Sequence, residues 1–261
     1  MTFQRLALKT EGRIATVSLN RPDVRNAFDP VMIGELKQAF DQLGARADLS
    51  VIVLRGEGKS FSSGADLGYM KAMASFSFEE NEKDARTLDA MFWSLRSCAL
   101  PIVGRLHGHA MGGALGLTAL CDVAAAVEGT QFAFSEVRLG LAPAVISPYV
   151  LEKMSASHAK RFMLTGEVFD AHQAREAGLV EFVGSEALVD SFVKMTATAI
   201  ASSGPEAVRA TKKLLRELEQ TSHWDLKRDL TTKTIAERRV SEEGQEGLRG
   251  FLEKRTPKWK T

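Results

Sequence analysis

The spacing of apolar positions changes several times along the chain, and each change marks an element. "IATVSLN", residues 14–20, alternates around Val17 and Leu19 and predicts an early strand. Asp29 followed by Pro30 predicts a helix start, because the carboxylate caps free N–H groups and proline fills a position that needs no donor. Ile33, Leu36, Phe40, Leu43 and Ala47 then make one apolar face at helical spacing. "VIVLRG" from Val51 is a continuous apolar run of the kind buried on both faces of a parallel sheet. Ser77, with Glu80 at capping-box spacing, starts a long helix that runs to about Arg96. "PIVGRLHG" from Pro101 predicts another strand, and "VAAAVE" and "QFAFSE" predict further short ones. Between them, "GHAMGGALGLTALCD" at residues 108–122 opens a helix near Gly113. From Ser155 onward helical patterns dominate.

Alternating strands and helices followed by an all-helical end predict an α/β core over residues 1–200 and a helical module over residues 201–261. Neither an internal repeat nor a flexible linker interrupts this order. An apolar share of 44% and a charged share of 26% are ordinary for a globular protein. Lys and Arg total 34 against 33 Asp and Glu, a net charge of +1, so no nucleic acid or anionic membrane partner is expected. The basic cluster Lys254, Arg255, Lys258 and Lys260 reads by itself as a solvated tail. Cys98 and Cys121 lack metal-ligand spacing and suit a reducing compartment. The opening residues do not form a signal peptide, which points to a cytoplasmic protein. Gly108, Gly112 and Gly116 repeat every four residues like a membrane dimer motif, but this uncharged run is far short of the roughly 20 residues a membrane helix needs.

Chemistry concentrates in two loops. "SFSSGADL", Ser60–Leu67, follows the Val51 strand, and "HGHAMGGALGL" follows the Pro101 strand. Each leaves backbone N–H groups with little side chain around them, and a helix beginning near Gly113 adds its positive dipole end. Two such N–H groups converging on one point form an oxyanion hole. Either loop alone is more often just a tight turn.

"LNRP" with "NAF", "FSSGADL", "HGHAMGGALGLTALCD" and "FAFSEVRLGLAP", in this order and spacing, resemble the enoyl-CoA hydratase/isomerase family, the crotonases. The likeness runs through "GEVFDAHQAREAGLV" to the terminal "EGLRGFLEKRTPKW". It implies a spiral of ββα repeats that assembles as a homotrimer, or a hexamer of two trimers, through its C-terminal helices. Ala65 and Gly113 match the residues whose N–H groups hold the thioester oxygen, with Gly64 and Gly112 bringing bare backbone beside them. Ala27, Asp66 and Leu67 match positions along the coenzyme A path, and Lys254 a segment near its phosphates. Coenzyme A is part of the substrate, and neither a further cofactor nor a metal is implied.

The chain departs from this pattern at one position. Family hydratases use two glutamates; the second matches Glu136, but the first aligns with Gly116, which leaves its place open. The usual "PGxGG" continuation is also altered, to "APAVISP". Three readings follow. The first is a hydratase using Glu136 with a substitute or solvent proton donor; "GGALGL" with "SEVRLGLAPAVISP" is similar to hydratases of 3-methylglutaconyl-CoA and related glutaconyl-CoA substrates. The second is a Δ3,Δ2-enoyl-CoA isomerase, for which one carboxylate suffices. The third is a non-catalytic acyl-CoA-binding member. The motif detail puts the hydratase first. Phe132, Phe134 and Leu139 are expected to desolvate Glu136 and raise its pKa. His107 and His109 are alternative proton donors, although local hydrogen bonding is the expectation, and Asp122 is expected to be structural. Ser147 and Tyr149 suit either the acyl pocket or helix-start packing. Arg138 suits either a structural ion pair or the distal carboxylate of a glutaconyl-type substrate.

Overall fold

A computed structural model describes residues 3–260. The chain opens with β1 (Leu6–Glu11) and β2 (Ile14–Leu19), an antiparallel pair of which only the second strand is visible in the apolar alternation. Helix α1 (Pro30–Gly44) begins as predicted, with the Asp29 carboxylate accepting from the Met32 N–H at 2.8 Å. Ile33, Leu36, Phe40 and Leu43 are buried, but Ala47 lies past the helix end and is exposed. Next come β3 (Val51–Gly56), α2 (Leu67–Met73) and α3 (Phe78–Ser97). Ser77 and Glu80 form the reciprocal capping box that starts α3.

The middle of the chain holds β4 (Ile102–Leu106), β5 (His109–Met111), α4 (Gly113–Ala119), β6 (Val123–Val127) and β7 (Gln131–Ala133). A 3-10 turn over Ser135–Leu139 follows, then α5 (Ser147–Lys153), α6 (Ala156–Thr165), β8 (Phe169–Asp170), α7 (Ala171–Glu176), β9 (Phe182–Gly184) and α8 (Glu186–Ala201). The last elements are α9 (Pro205–Gln220), α10 (Trp224–Val240) and α11 (Glu242–Leu252).

One sheet has the order β1-β2-β3-β4-β6-β9, parallel except for β1, and a smaller sheet has the order β5-β7-β8. Parallel neighbours require crossovers, and these carry the helices over the sheet. Val51, Val53, Val103 and Ala125 pack on Val189, Val193 and Ala197 of α8. The alternate side chains, Ile52, Leu54 and Ile102, join the larger core with α1 and α3. Burial on both faces explains why "VIVLRG" reads as a continuous apolar run. Among the described residues, no helix is long and apolar enough to cross a membrane.

Helix α9 is tied to the core mainly by cations. Arg209 donates to the Gly44 and Arg46 carbonyls, Lys212 to the Leu100 carbonyl, and Arg216 to the Arg96 carbonyl. Glu243 from α11 accepts from the Glu206 and Ala207 N–H groups and so caps α9. Trp224, Ile235, Val240, Phe251 and Leu252 of α10 and α11 are left exposed.

Candidate active site

The two small-residue loops run side by side. Phe61 N–H donates to the His107 carbonyl at 2.8 Å, Ser62 N–H to His109 at 3.0 Å, and Met111 N–H back to Ser62 at 3.1 Å. Asn26 fixes the first loop from below. Fully buried, with a left-handed φ of 54°, it donates its amide to the Glu57 and Ser60 carbonyls and accepts from the Arg21 N–H, each at 2.8 Å. The Ser62 hydroxyl closes the arrangement onto the Asn26 carbonyl. Asn tolerates left-handed backbone better than most residues, which suits it to this post. The "NAF" motif marked the position in the sequence but not its work.

Ala65 and Gly113 occupy equivalent places on the paired loops. Phe28 N–H donates to the Gly64 carbonyl and Asp66 N–H to the Phe28 carbonyl, engaging the backbone on either side of Ala65. Gly113 is the first residue of α4, where an N–H has no intrahelical acceptor. Among the described residues, neither the Ala65 nor the Gly113 N–H donates a hydrogen bond. The loops touch one residue earlier: a Cβ on Gly64 would lie 2.7 Å from the Met111 carbonyl oxygen and 3.8 Å from the Gly112 Cα. With φ at +85°, Gly64 is excluded from carrying a side chain on both counts.

Each glycine at the start of α4 makes room for a different group. A Cβ on Gly112 would lie 3.2 Å from Glu136 Oε1, placing that carboxyl beside the residue that precedes Gly113. A Cβ on Gly113 would lie 3.3 Å from the Phe28 ring and 4.0 Å from Phe92 Cζ. A Cβ on Gly116 would lie 2.6 Å from Ile146 Cγ2 and 2.7 Å from Phe92 Cε1. Gly116 therefore does not leave the first acid's place open, as the sequence suggested; two buried apolar side chains fill it. Neither residue carried a signal for this in the sequence.

Glu136 sits on the 3-10 turn, half-buried, and its buried Oε2 has no hydrogen-bond partner. Burial pushes its pKa above the ordinary glutamate range, against a smaller opposing effect of a backbone hydrogen bond. Phe132 and Phe134 are fully buried, but Leu139 is 58% exposed and does not shield the carboxyl as expected.

The remaining candidates separate. Asp66 caps α2 through the Gly68 and Tyr69 N–H groups and pairs with Arg21 at 3.1 Å. Its slight burial raises its pKa, but these hydrogen bonds and the cation outweigh that and hold it low. Ala27 is buried and its carbonyl accepts from Arg21, while Leu67 is exposed at the head of α2. His107 Nε2 meets the Gly58 carbonyl at 2.9 Å, and His109 Nδ1 meets the Ser60 hydroxyl at 3.1 Å. Asp122 accepts from the Ile102 N–H and from Lys212, a structural role. Tyr149 donates to Asp89, with its pKa pushed up to about 12 chiefly by burial, and Ser147 donates to the Pro143 carbonyl. Arg138 is exposed and makes no ion pair among the described residues. Lys254 follows α11 with a left-handed φ of 54°, and its N–H donates to the Phe251 carbonyl. No hydrogen bond or ion pair links Lys254 to either loop among the described residues. Nor do the described residues include a His, Cys, Asp or Glu group able to hold a metal ion.

Known proteins resemble this chain over nearly its full length. The family model for enoyl-CoA hydratase/isomerase matches residues 9–261. The 2,3-dehydroadipyl-CoA hydratase of Escherichia coli is 31% identical over 264 residues, covering 98% of each chain. The crystal structure of an enoyl-CoA hydratase from Shewanella pealeana is 40% identical, with a TM-score of 0.94 over 98% of this chain and 96% of that one.

Proposed function

The chain belongs to the enoyl-CoA hydratase/isomerase family, and from that premise we propose that it hydrates a branched 2-enoyl-CoA of the 3-methylglutaconyl type. That it is an enoyl-CoA hydratase-like enzyme follows from its relatives. In the proposed reaction the thioester oxygen accepts from the Ala65 and Gly113 N–H groups as enolate charge develops on it. One strong donor of this kind contributes about 3–4 kcal/mol to the transition state in other enzymes. Glu136 handles the proton at Cα. The observation that carries this reading is the desolvated Glu136 carboxyl beside Gly112, its buried Oε2 without a partner, with the free N–H of Gly113 at the following residue.

The acyl group is inferred from "SEVRLGLAPAVISP" and from the relative named for 2,3-dehydroadipyl-CoA, an acyl group with a distal carboxylate. Arg138, two positions beyond Glu136 and without an ion pair, supplies a guanidinium for such a carboxylate. Ala27, Asp66 and Leu67 flank the pantetheine path, with Asp66 acting through the shape of the loop it caps. Exposed apolar residues on α10 and α11 support assembly as a trimer or a pair of trimers. Lys254 would then meet the CoA phosphates of a neighbouring subunit.

An assay panel tests the reading. Crotonyl-CoA, 3-methylglutaconyl-CoA and a 3-enoyl-CoA are incubated with the enzyme, and hydration and double-bond migration are followed separately. Hydration is expected, with the highest kcat/KM on 3-methylglutaconyl-CoA. Migration without hydration would establish the isomerase, the second reading, which the apolar filling at Gly116 favours because one carboxylate suffices to move a proton from Cα to Cγ.

A further inference from the structure

Hydration requires a proton for Cα and an acceptor for a proton of the attacking water. In a site with two carboxylates these tasks are divided. Here the wall that would hold the first acid is hydrocarbon: Phe92 is fully buried, Ile146 is 3% exposed, and both lie too close to Gly116 for any side chain there. Most other polar groups near the loops are already committed, the exception being His107 Nδ1, which is buried without a partner. The Ser62 hydroxyl donates to Asn26, the Ser60 hydroxyl and His109 Nδ1 face each other, and His107 Nε2 meets the Gly58 carbonyl. Tyr69 donates to Asp84 and Tyr149 to Asp89, so both tyrosines of the chain are turned onto α3. Against this set, Glu136 offers a carboxyl with a buried oxygen that has no partner.

We propose that Glu136 performs both proton transfers of hydration, as a single-carboxyl shuttle; the inference rests on the hydratase reading above. The neutral carboxyl gives its proton to Cα while the water oxygen forms its bond to Cβ with a lone pair. The π pair of the double bond, passing through the enolate held at Ala65 and Gly113, becomes the new Cα–H bond. The second carboxyl oxygen removes one proton from the adding water, so the product carries a hydroxyl and Glu136 ends protonated as it began. Because one carboxyl serves both carbons, hydrogen and hydroxyl arrive on the same face of the double bond.

The test is hydration of crotonyl-CoA in D2O, read by NMR of the 3-hydroxyacyl product, with α-proton exchange of butyryl-CoA measured alongside. A single deuterium at Cα, on the face that bears the hydroxyl, is expected. Glu136→Gln is expected to lower hydration and α-exchange together, each by roughly 10²–10⁴-fold. His109→Gln and Tyr149→Phe should leave hydration within a factor of a few. Hydration with deuterium on both faces, α-exchange that survives Glu136→Gln, or a loss of about tenfold or more in either control variant would overturn the shuttle and leave the hydratase reading standing. Failure of the wild-type enzyme to hydrate any of the panel substrates would overturn both. If Glu136→Gln does not fold, Glu136→Asp is read in its place, and a loss of hydration without a matching loss of α-exchange overturns the shuttle.

Discussion

Gly116→Ala is the most direct probe of the site, because two effects of known sign oppose each other there. In an open helix position the change stabilises by about 1 kcal/mol, since alanine loses less backbone freedom than glycine. The backbone at Gly116 would allow this gain, as it is not left-handed. The surroundings do not. The new methyl carbon would sit 2.6 Å from Ile146 Cγ2, with Phe92 Cε1 and Cζ at 2.7 and 2.9 Å. Both neighbours are core side chains, and the Phe92 ring is backed by Tyr149 at 5.8 Å, so neither is a loose end that swings away. Inserting a methyl into such packing costs about 1–3 kcal/mol. The net expectation is a loss of up to about 2 kcal/mol, or a Tm fall of roughly 2–4 °C per kcal/mol for a chain of this size. Ile146→Leu removes the offending branch methyl at nearly constant volume, so Gly116→Ala should cost less in that background, with a coupling of about 1 kcal/mol. Thermal melts and urea midpoints of the four proteins complete the cycle. A Gly116→Ala Tm several degrees above wild type would show that helix propensity acts unopposed, and the filled-volume account would fall. Gly116→Glu, which writes the absent acid back, should likewise fail to raise hydration.

Two further perturbations address the rest of the site. Asn26→Ala leaves the Glu57 and Ser60 carbonyls and the Arg21 N–H without their partner, which should cost about 2–4 kcal/mol; unchanged Tm and kcat/KM would show that the loop does not depend on this anchor. For Glu136 the folded carboxyl titrates above the unfolded one, so the stability it contributes is present below the unfolded pKa and is lost as pH rises through the folded pKa. Glu136→Gln should therefore melt above wild type at about pH 8, with the difference closing by about pH 4; a gain of equal size at both pH values would refute the burial account.

What the sequence displayed and what it hid divide along physical lines. Local signals were legible: the Asp29 cap, the Ser77–Glu80 box and the apolar run of β3 all depend on residues a few positions apart. The short strands β5, β8 and β9 were not, because two or three residues carry no period and exist only through the partner strand that pairs with them. The same holds at the site. Motif order placed Ala65, Gly113 and Glu136 on loops that the fold does lace together. It also showed that Gly116 lacks a side chain. It did not show what occupies the space, since Phe92 and Ile146 come from α3 and from the loop before α5. Leu139 was misjudged for a related reason: a 3-10 turn points successive side chains in different directions, and this one faces solvent.

The filling at Gly116 bears on how a one-carboxyl site works at all. If that volume were open, water would enter it and solvate Glu136 from the α4 side, and an ionised, hydrated carboxylate is a poor proton donor to carbon at neutral pH. Packing Phe92 and Ile146 against the helix fills that volume, and burial raises the Glu136 pKa toward the range where a carboxyl both gives and takes a proton. The missing side chain at Gly116 and the apolar wall against it belong together, because the wall leaves no room for a Cβ there. Restoring the acid by Gly116→Glu without removing the wall disrupts packing, and removing the wall without the acid hydrates the remaining carboxyl. On this account Phe92→Ala should lower the Glu136 pKa and slow hydration even though the Glu136 carboxyl, Ala65 and Gly113 are untouched. A Phe92→Ala enzyme that folds and hydrates crotonyl-CoA at the wild-type kcat would show that the wall and the carboxyl are independent.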